Sequence, residues 1–193
     1  MKYRKWALAA PLLLALASCA VGVNFTKPSD DQLVVGVSKQ ADVVAALGKP
    51  NVTSTLIING KSLPTDTYAY AVGGSGDGAL PGVTPARSLA VTFNDGILVQ
   101  KIYVSSFKED ATMFDVDKAK SIKPGETADE VVALLGKPSG AAIYPATSDP
   151  NSHALVYAFV ETKGFKSQKD QLIVEVDNNG RVTKSNYSQF GQL

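Results

Sequence analysis

The sequence is short of the side chains that most enzyme chemistry requires. It holds one cysteine and one histidine in 193 residues. With Cys19 alone, no second thiol exists for an intramolecular disulfide, even in an oxidising compartment. His153 lies in a stretch rich in Ser, Asn and Pro, with Ser152 and Asp149 near it only along the chain. A catalytic histidine needs an orienting carboxylate and a nucleophile within reach, so His153 reads as a loop residue. No His-Glu-x-x-His or Cys-x-x-Cys spacing offers a metal site. The acidic pairs Asp30-Asp31, Glu109-Asp110 and Asp129-Glu130 stand at helix starts, where negative charge suits the dipole. The Gly-rich run after Val72 opens no helix and has no Lys-Ser/Thr pair, which excludes a phosphate-binding loop. These absences point to a chain without catalytic residues, metal or cofactor.

Charge of one sign is also lacking. The chain has 19 basic and 18 acidic residues. Three of the basic ones, Lys2, Arg4 and Lys5, begin the chain; without them 16 stand against 18, a formal charge of −2. A nucleic-acid binder is normally basic, so nucleic acid is excluded as a partner. Ala7 to Ala17 is apolar but far shorter than the ~20 residues that span a bilayer. A basic start and a short apolar region read as a secretory signal, residues 1–18. Leu16-Ala17-Ser18-Cys19 then resembles the bacterial lipobox. That resemblance implies cleavage before Cys19, diacylation of its sulfur and acylation of the new amine. Several acyl chains anchor a protein stably. Ala20 follows Cys19 in place of the aspartate that retains lipoproteins at the inner membrane in enteric-type sorting, which favours the outer membrane. Residues 19–29 read as a lipidated tether, whose Phe25 can rest either on the lipid interface or on the domain.

What the sequence does have is a repeat. Val131-Val132-Ala133-Leu134-Leu135-Gly136-Lys137-Pro138 matches Val43-Val44-Ala45-Ala46-Leu47-Gly48-Lys49-Pro50 at seven of eight positions, 88 residues apart. In the second copy, Thr127-Ala128-Asp129-Glu130 is a capping box, with hydroxyl and carboxylate each serving the other residue's backbone N–H. Val131, Leu134 and Leu135 share one helical face, and Gly136 with Pro138 ends the helix. In the first copy, Ser38 is the expected N-cap, with Val43, Ala46 and Leu47 as the stripe and Gly48 and Pro50 as the stop. Helices this short need something to pack on.

After each helix the apolar period becomes two. Tyr68 to Val72, then Leu89, Val91 and Phe93, then Ile97 to Val104 follow the first. Val156 to Val160, then Leu172, Val174 and Val176, then Val182 to Ser188 follow the second. The turns at Asn94-Asp95-Gly96 and Asp177-Asn178-Asn179-Gly180 let the chain fold back as hairpins. The expected class is α+β: a tandem repeat of two units, residues 30–106 and 107–193, each short helices followed by a three-stranded antiparallel sheet. A further helical turn is expected near Asp30–Val35 and Asp115–Ile122. Phe107, Phe114 and Val116 are expected to pack at the junction, and residues 139–153 to form an irregular connection.

The two copies differ most in the loops after their first strands, the long Gly/Pro-rich 73–86 and the charged 161–170 with Phe165. A sheet covered on one face leaves the other open. Tyr68, Tyr70, Tyr103, Tyr157, Phe159 and Tyr187 recur at matching places, so each serves either the core or an aromatic binding platform. With Phe165 they are the candidate partner-binding residues.

The pattern Pro124-Gly125-x-Thr127-x-x-Glu130-Val131-x-x-x-Leu135-Gly136-x-Pro138, followed by a Tyr-bearing strand and Leu-x-Val-x-Val with an Asn-Gly turn, resembles the SmpA/OmlA (BamE-like) lipoprotein family. It also resembles the fold of the β-lactamase inhibitory protein, a tandem of two such units. The first resemblance implies a periplasm-facing outer-membrane lipoprotein that binds envelope proteins, the β-barrel assembly machinery among them, in outer-membrane assembly or integrity. The second implies an anchored inhibitor or binding protein for a specific enzyme. Members of the BamE-like family usually carry one unit, and the inhibitor is stapled by disulfides that this chain cannot form. A third reading is a module that binds a small molecule or lipid in the cleft between the units.

Overall fold

A computed structural model describes residues 20–73 and 78–193. In chain order these form β1 (Ala20–Gly22), α1 (Gln40–Leu47), β2 (Val52–Ile58), β3 (Lys61–Val72), β4 (Ala86–Asn94) and β5 (Ile97–Ser105). Then come α2 (Val116–Ser121), α3 (Ala128–Leu135), β6 (Gly140–Ile143), β7 (His153–Lys163), β8 (Lys166–Val176) and β9 (Val182–Gln192). Strands dominate, and all nine belong to one antiparallel sheet ordered β1-β3-β4-β5-β6-β7-β8-β9, with β2 also on β3.

Each helix of the repeat ends as its sequence dictates. Gly48 and Gly136 take φ of 79° and 81°, a region that only glycine enters freely. Their N–H groups donate to Val44 O and Val132 O, both at 2.8 Å. The starts differ. Thr127 Oγ1 accepts from Glu130 N at 3.2 Å, and the Glu130 carboxylate accepts from Thr127 N at 2.7 Å, so the box is complete. In the first copy the N-cap is Lys39, not Ser38. Asp42 accepts from Lys39 N at 2.8 Å, but lysine has no oxygen to return the bond. Ser38 is buried, and its Oγ accepts from Val34 N instead. Of each expected stripe, Val43 and Val131 are wholly buried and Leu47 and Leu135 half-buried, while Ala46 and Leu134 are exposed.

The helices lie on one face of the sheet and make two cores. Val43 joins Leu33, Tyr68, Leu89, Val91, Phe93, Leu98 and Tyr103. Val131 joins Ala119, Ile122, Tyr157, Leu172, Val174, Val176 and Val182. The same bond ties helix to sheet in each: Tyr68 OH donates to Gly48 O at 3.0 Å, and Tyr157 OH donates to Gly136 O at 2.9 Å. Burial holds the Tyr157 hydroxyl up to about 12.

Three expectations need correction. Each half carries a fourth strand, β2 and β6, ahead of the three foreseen. Val52-Thr53-Ser54-Thr55-Leu56-Ile57-Ile58 is rich in β-branched residues and ends on Asn59-Gly60, both at positive φ, so β2 and β3 form a hairpin. Residues 139–153 are not irregular throughout: β6 pairs with both β5 and β7 and thereby joins the halves into one sheet. Gly140 is required there, because a Cβ on it would lie 2.3 Å from Lys101 O. Residues 161–170 are not a loop either. The β7–β8 ladder continues to Lys163↔Lys166, leaving only Gly164-Phe165 as the turn.

Residues 20–29 pack on the domain. Ala20 pairs with Val72, and the Phe25 ring meets Tyr68 and Tyr103 edge-on, with centroids 6.5 and 6.3 Å away. Phe107 stacks on Tyr70 in the first half, and Phe114 packs on Tyr157 in the second. The connection between them is held by a polar cluster. Arg87, 9% exposed, donates to Phe25 O at 3.0 Å and to Glu109 at 2.7 Å, while Tyr103 OH and Ser105 Oγ donate to Asp110.

Candidate functional site

The opposite face of the sheet follows from alternation along the strands. In Tyr68-Ala69-Tyr70-Ala71 and Arg87-Ser88-Leu89-Ala90-Val91-Thr92-Phe93, large residues alternate with small ones. The large set turns to the helices, so Ala69, Ala71, Ser88 and Ala90 turn away from them. Ile102 and Val104 on β5, Ala158 and Val160 on β7, and Gln171 and Ile173 on β8 continue this second face by register. Among the described residues no helix covers it. The segment 144–152 closes its lower end: Ala146 packs on Ala142, Ala154 and Val156, and Glu175 accepts from Ser148 N and Oγ.

The face is curled. β6 begins at Gly140, and above that residue the top of β7 approaches the first half. Thr84 N donates to Thr162 O at 2.9 Å, and Val160 shares a pocket of about 190 Å³ with Ala71, Ala86, Ser88 and Val104. At the other end Asn59 donates to Pro145 O and Thr147 O across the same trough. Its floor of small side chains leaves the backbone close to whatever lies in it. Its charge is sparse: Lys169 sits on this face, and burial pulls its ammonium below the ordinary lysine range.

On the helix face, the crease between the halves holds a cavity of about 280 Å³. Leu33, Val35, Leu89 and Pro138 make its apolar wall, with Lys27, Asp30, Lys101 and Lys137 among the polar groups. Asp30 bridges the halves, accepting from Lys101 at 3.3 Å and Lys137 at 2.7 Å. The hydrogen bond from Lys137, and then that from Lys101, hold its carboxyl below the usual range. Lys101 also donates to Leu33 O at 2.8 Å.

The candidate aromatics do not form one platform. Tyr68, Tyr103 and Tyr157 belong to the two cores under the helices, and Phe159, on the same face, is buried with them at 5% exposure. Burial, then the hydrogen bond to Asp110, raises the Tyr103 hydroxyl above the ordinary tyrosine range. Tyr70 is half-buried against Phe107. Tyr187 is half-buried, donating to Asp170 at 2.6 Å with Lys120 over its ring. Phe165 alone stands fully in solvent, at the β7–β8 turn. Cys19, the candidate lipidation site, lies outside the described residues. His153 opens β7, opposite Val176, and is exposed. Among the described residues no three His, Cys, Asp or Glu side chains gather to hold a metal ion, and no helix is long and apolar enough to cross a membrane. The open face of small residues is marked in the sequence by the alternation of large and small side chains in β3 and β4, not by the aromatics.

No protein of curated function matches the chain in sequence. A solved structure of a candidate β-lactamase inhibitor protein from Streptococcus mutans is similar at 14% identity and a TM-score of 0.42, covering 82% of this chain and 91% of its own. Residues 111–186 match the family described as the outer membrane protein assembly factor BamE domain. The matched stretch carries α2, α3, β6, β7, β8 and the start of β9, so the second half of this chain is similar in sequence to a BamE domain.

Proposed function

We propose that the protein is a lipid-anchored, non-catalytic outer-membrane lipoprotein, facing the periplasm, that binds envelope proteins in outer-membrane assembly or integrity. The match of residues 111–186 to the assembly-factor domain carries this reading. Cys19, in its lipobox-like setting, supplies the anchor, and Ala20 after it suits the outer membrane. The first half acts as a second, diverged copy of the module, with its own capped helix and its own tyrosine bonded to the helix-terminal glycine. The partner lies along the open face, where Ala69, Ser88 and Ala90 allow a strand or helix to approach the backbone closely.

The test is site-specific photo-crosslinking in cells producing the full-length lipoprotein. A crosslinker at Ala90, on the open face, is compared with one at Val44, on the exposed side of α1. Capture of the barrel-assembly machinery or outer-membrane barrels from Ala90 alone supports the proposal. Capture of one soluble hydrolase instead supports an anchored enzyme inhibitor. The cavity of about 280 Å³ favours a second reading, a small molecule or lipid held in the crease between the halves against Leu33, Val35, Leu89 and Pro138. Native mass spectrometry of the purified chain without a co-purifying ligand would refute that one.

A further inference from the structure

The end of the sheet where the described chain begins has a character of its own. Ala20 is one residue from Cys19 and is pinned to Val72 at the upper end of β3. Val72 N donates to Pro85 O at 2.9 Å, and Thr84 N, one residue back, donates to Thr162 O at 2.9 Å. Thr162 pairs with Ser167 one step below the end of the β7–β8 ladder. A continuous set of backbone hydrogen bonds therefore links the start of the chain to the Gly164-Phe165 turn. Val21 and Val160 line the same pocket, so β1 and the top of β7 lie at the same end of the open face. The tip of the turn, with Phe165, stands about 7 Å beyond the Thr162–Ser167 pair, two residues at ~3.3 Å each.

The side chains at this end are those of a membrane-water boundary. Phe165 and Phe190 are the exposed phenylalanines among the described residues, and both belong to this end. Val21 is 71% exposed beside them. Lys163 and Lys166 flank the turn; Glu161 pairs with Lys163 at 2.6 Å, and Lys166 extends into solvent. A turn of two residues on a full ladder, with Gly164 at φ 61°, holds Phe165 outward on a rigid support. An exposed aromatic ring between two lysines suits the boundary of acyl chains and anionic headgroups.

We infer that this end of the sheet docks on the bilayer, with Phe165 inserted at the headgroup–acyl boundary and Lys163 and Lys166 beside lipid phosphates. The inference rests on acylation of Cys19, which brings the membrane to Ala20. Docking fixes the orientation of the molecule. The β2–β3 turn points away from the membrane, and the open face stands upright beside it instead of swinging on a tether.

The sole tryptophan, Trp6, lies within the signal, so Phe165→Trp creates a lone reporter in the processed chain. The full lipoprotein is reconstituted into vesicles of phosphatidylethanolamine and phosphatidylglycerol, with and without brominated acyl chains. Ile57→Trp, at the opposite end and 73% exposed in the parent chain, is the reference. The expected result is a blue-shifted emission that bromine quenches in Phe165→Trp and leaves unquenched in Ile57→Trp. Flotation of the protein with the vesicles, without quenching of Phe165→Trp, overturns the docking and leaves the anchor intact. Failure to float, with Cys19 unmodified by mass spectrometry, overturns the anchor and the docking with it.

Discussion

Replacing Tyr68 or Tyr157 with Phe removes one hydroxyl and keeps the ring. Each hydroxyl donates to the carbonyl of the glycine that ends its helix, at 3.0 and 2.9 Å. A hydrogen bond of this kind contributes about 0.5–1.5 kcal/mol net, and a carbonyl sealed from water costs more when abandoned. Gly48 and Gly136 are exposed, so water can take over part of each bond. The expected loss is therefore about 1 kcal/mol for either variant, well below the cost of a sealed carbonyl. The two tyrosines belong to separate cores, so the losses add to about 2 kcal/mol in the double variant. For a chain of this size that corresponds to a fall in Tm of about 3 °C for each single variant and 6 °C for the double. Urea unfolding followed by circular dichroism measures it. A pair of unequal losses, one near zero and the other near 2 kcal/mol, would refute the claim that both helices are fastened to the sheet by the same bond.

The helix starts give a second expectation. Thr127→Ala should cost about 1 kcal/mol, while Lys39→Thr, which adds the missing acceptor opposite Asp42, should stabilise by up to about 1 kcal/mol in the same urea assay. At the seam, Gly140→Ala sets a methyl 2.3 Å from Lys101 O, so β5 and β6 must separate. A loss of about 1–3 kcal/mol should accompany faster amide exchange along Gln100–Ile102. Tyr157 holds its proton to about pH 12 in the folded chain, against about 10 when unfolded. The folded-state value is the higher one, so its contribution is complete below pH 10 and lost as pH climbs towards 12. Urea midpoints should fall across that window, and less steeply in Tyr157→Phe.

The two repeat helices, the three main strands of each half and the turns at Asn94-Asp95-Gly96 and Asp177-Asn178-Asn179-Gly180 were legible because each has strong local chemistry: a capping box, a Gly-x-Pro stop, an Asn-Gly or Asp-Gly turn. Short β6 was not, because its four residues, Gly-Ala-Ala-Ile, carry little strand preference and owe their conformation to β5 and β7 on either side. The tight β7–β8 hairpin was hidden by charge, since Lys163, Lys166 and Lys169 read as loop although the backbone ladder passes through them. Among the aromatics, sequence periodicity placed Tyr68 and Tyr157 on strands but could not say which face the helices would cover. Ser38 lost the capping role by one residue, because burial beside Val34 claimed its hydroxyl first.

The central claim is a role in building or maintaining the outer membrane, and the most direct test is the level of β-barrel proteins in that membrane. Cells lacking this chain are compared with cells complemented by the wild type and by Ala90→Arg, which places a charge on the open face. The account predicts reduced barrel-protein levels and raised detergent sensitivity, restored by the wild type and not by Ala90→Arg at equal abundance. Unchanged barrel levels and normal detergent resistance in cells without the chain would contradict it.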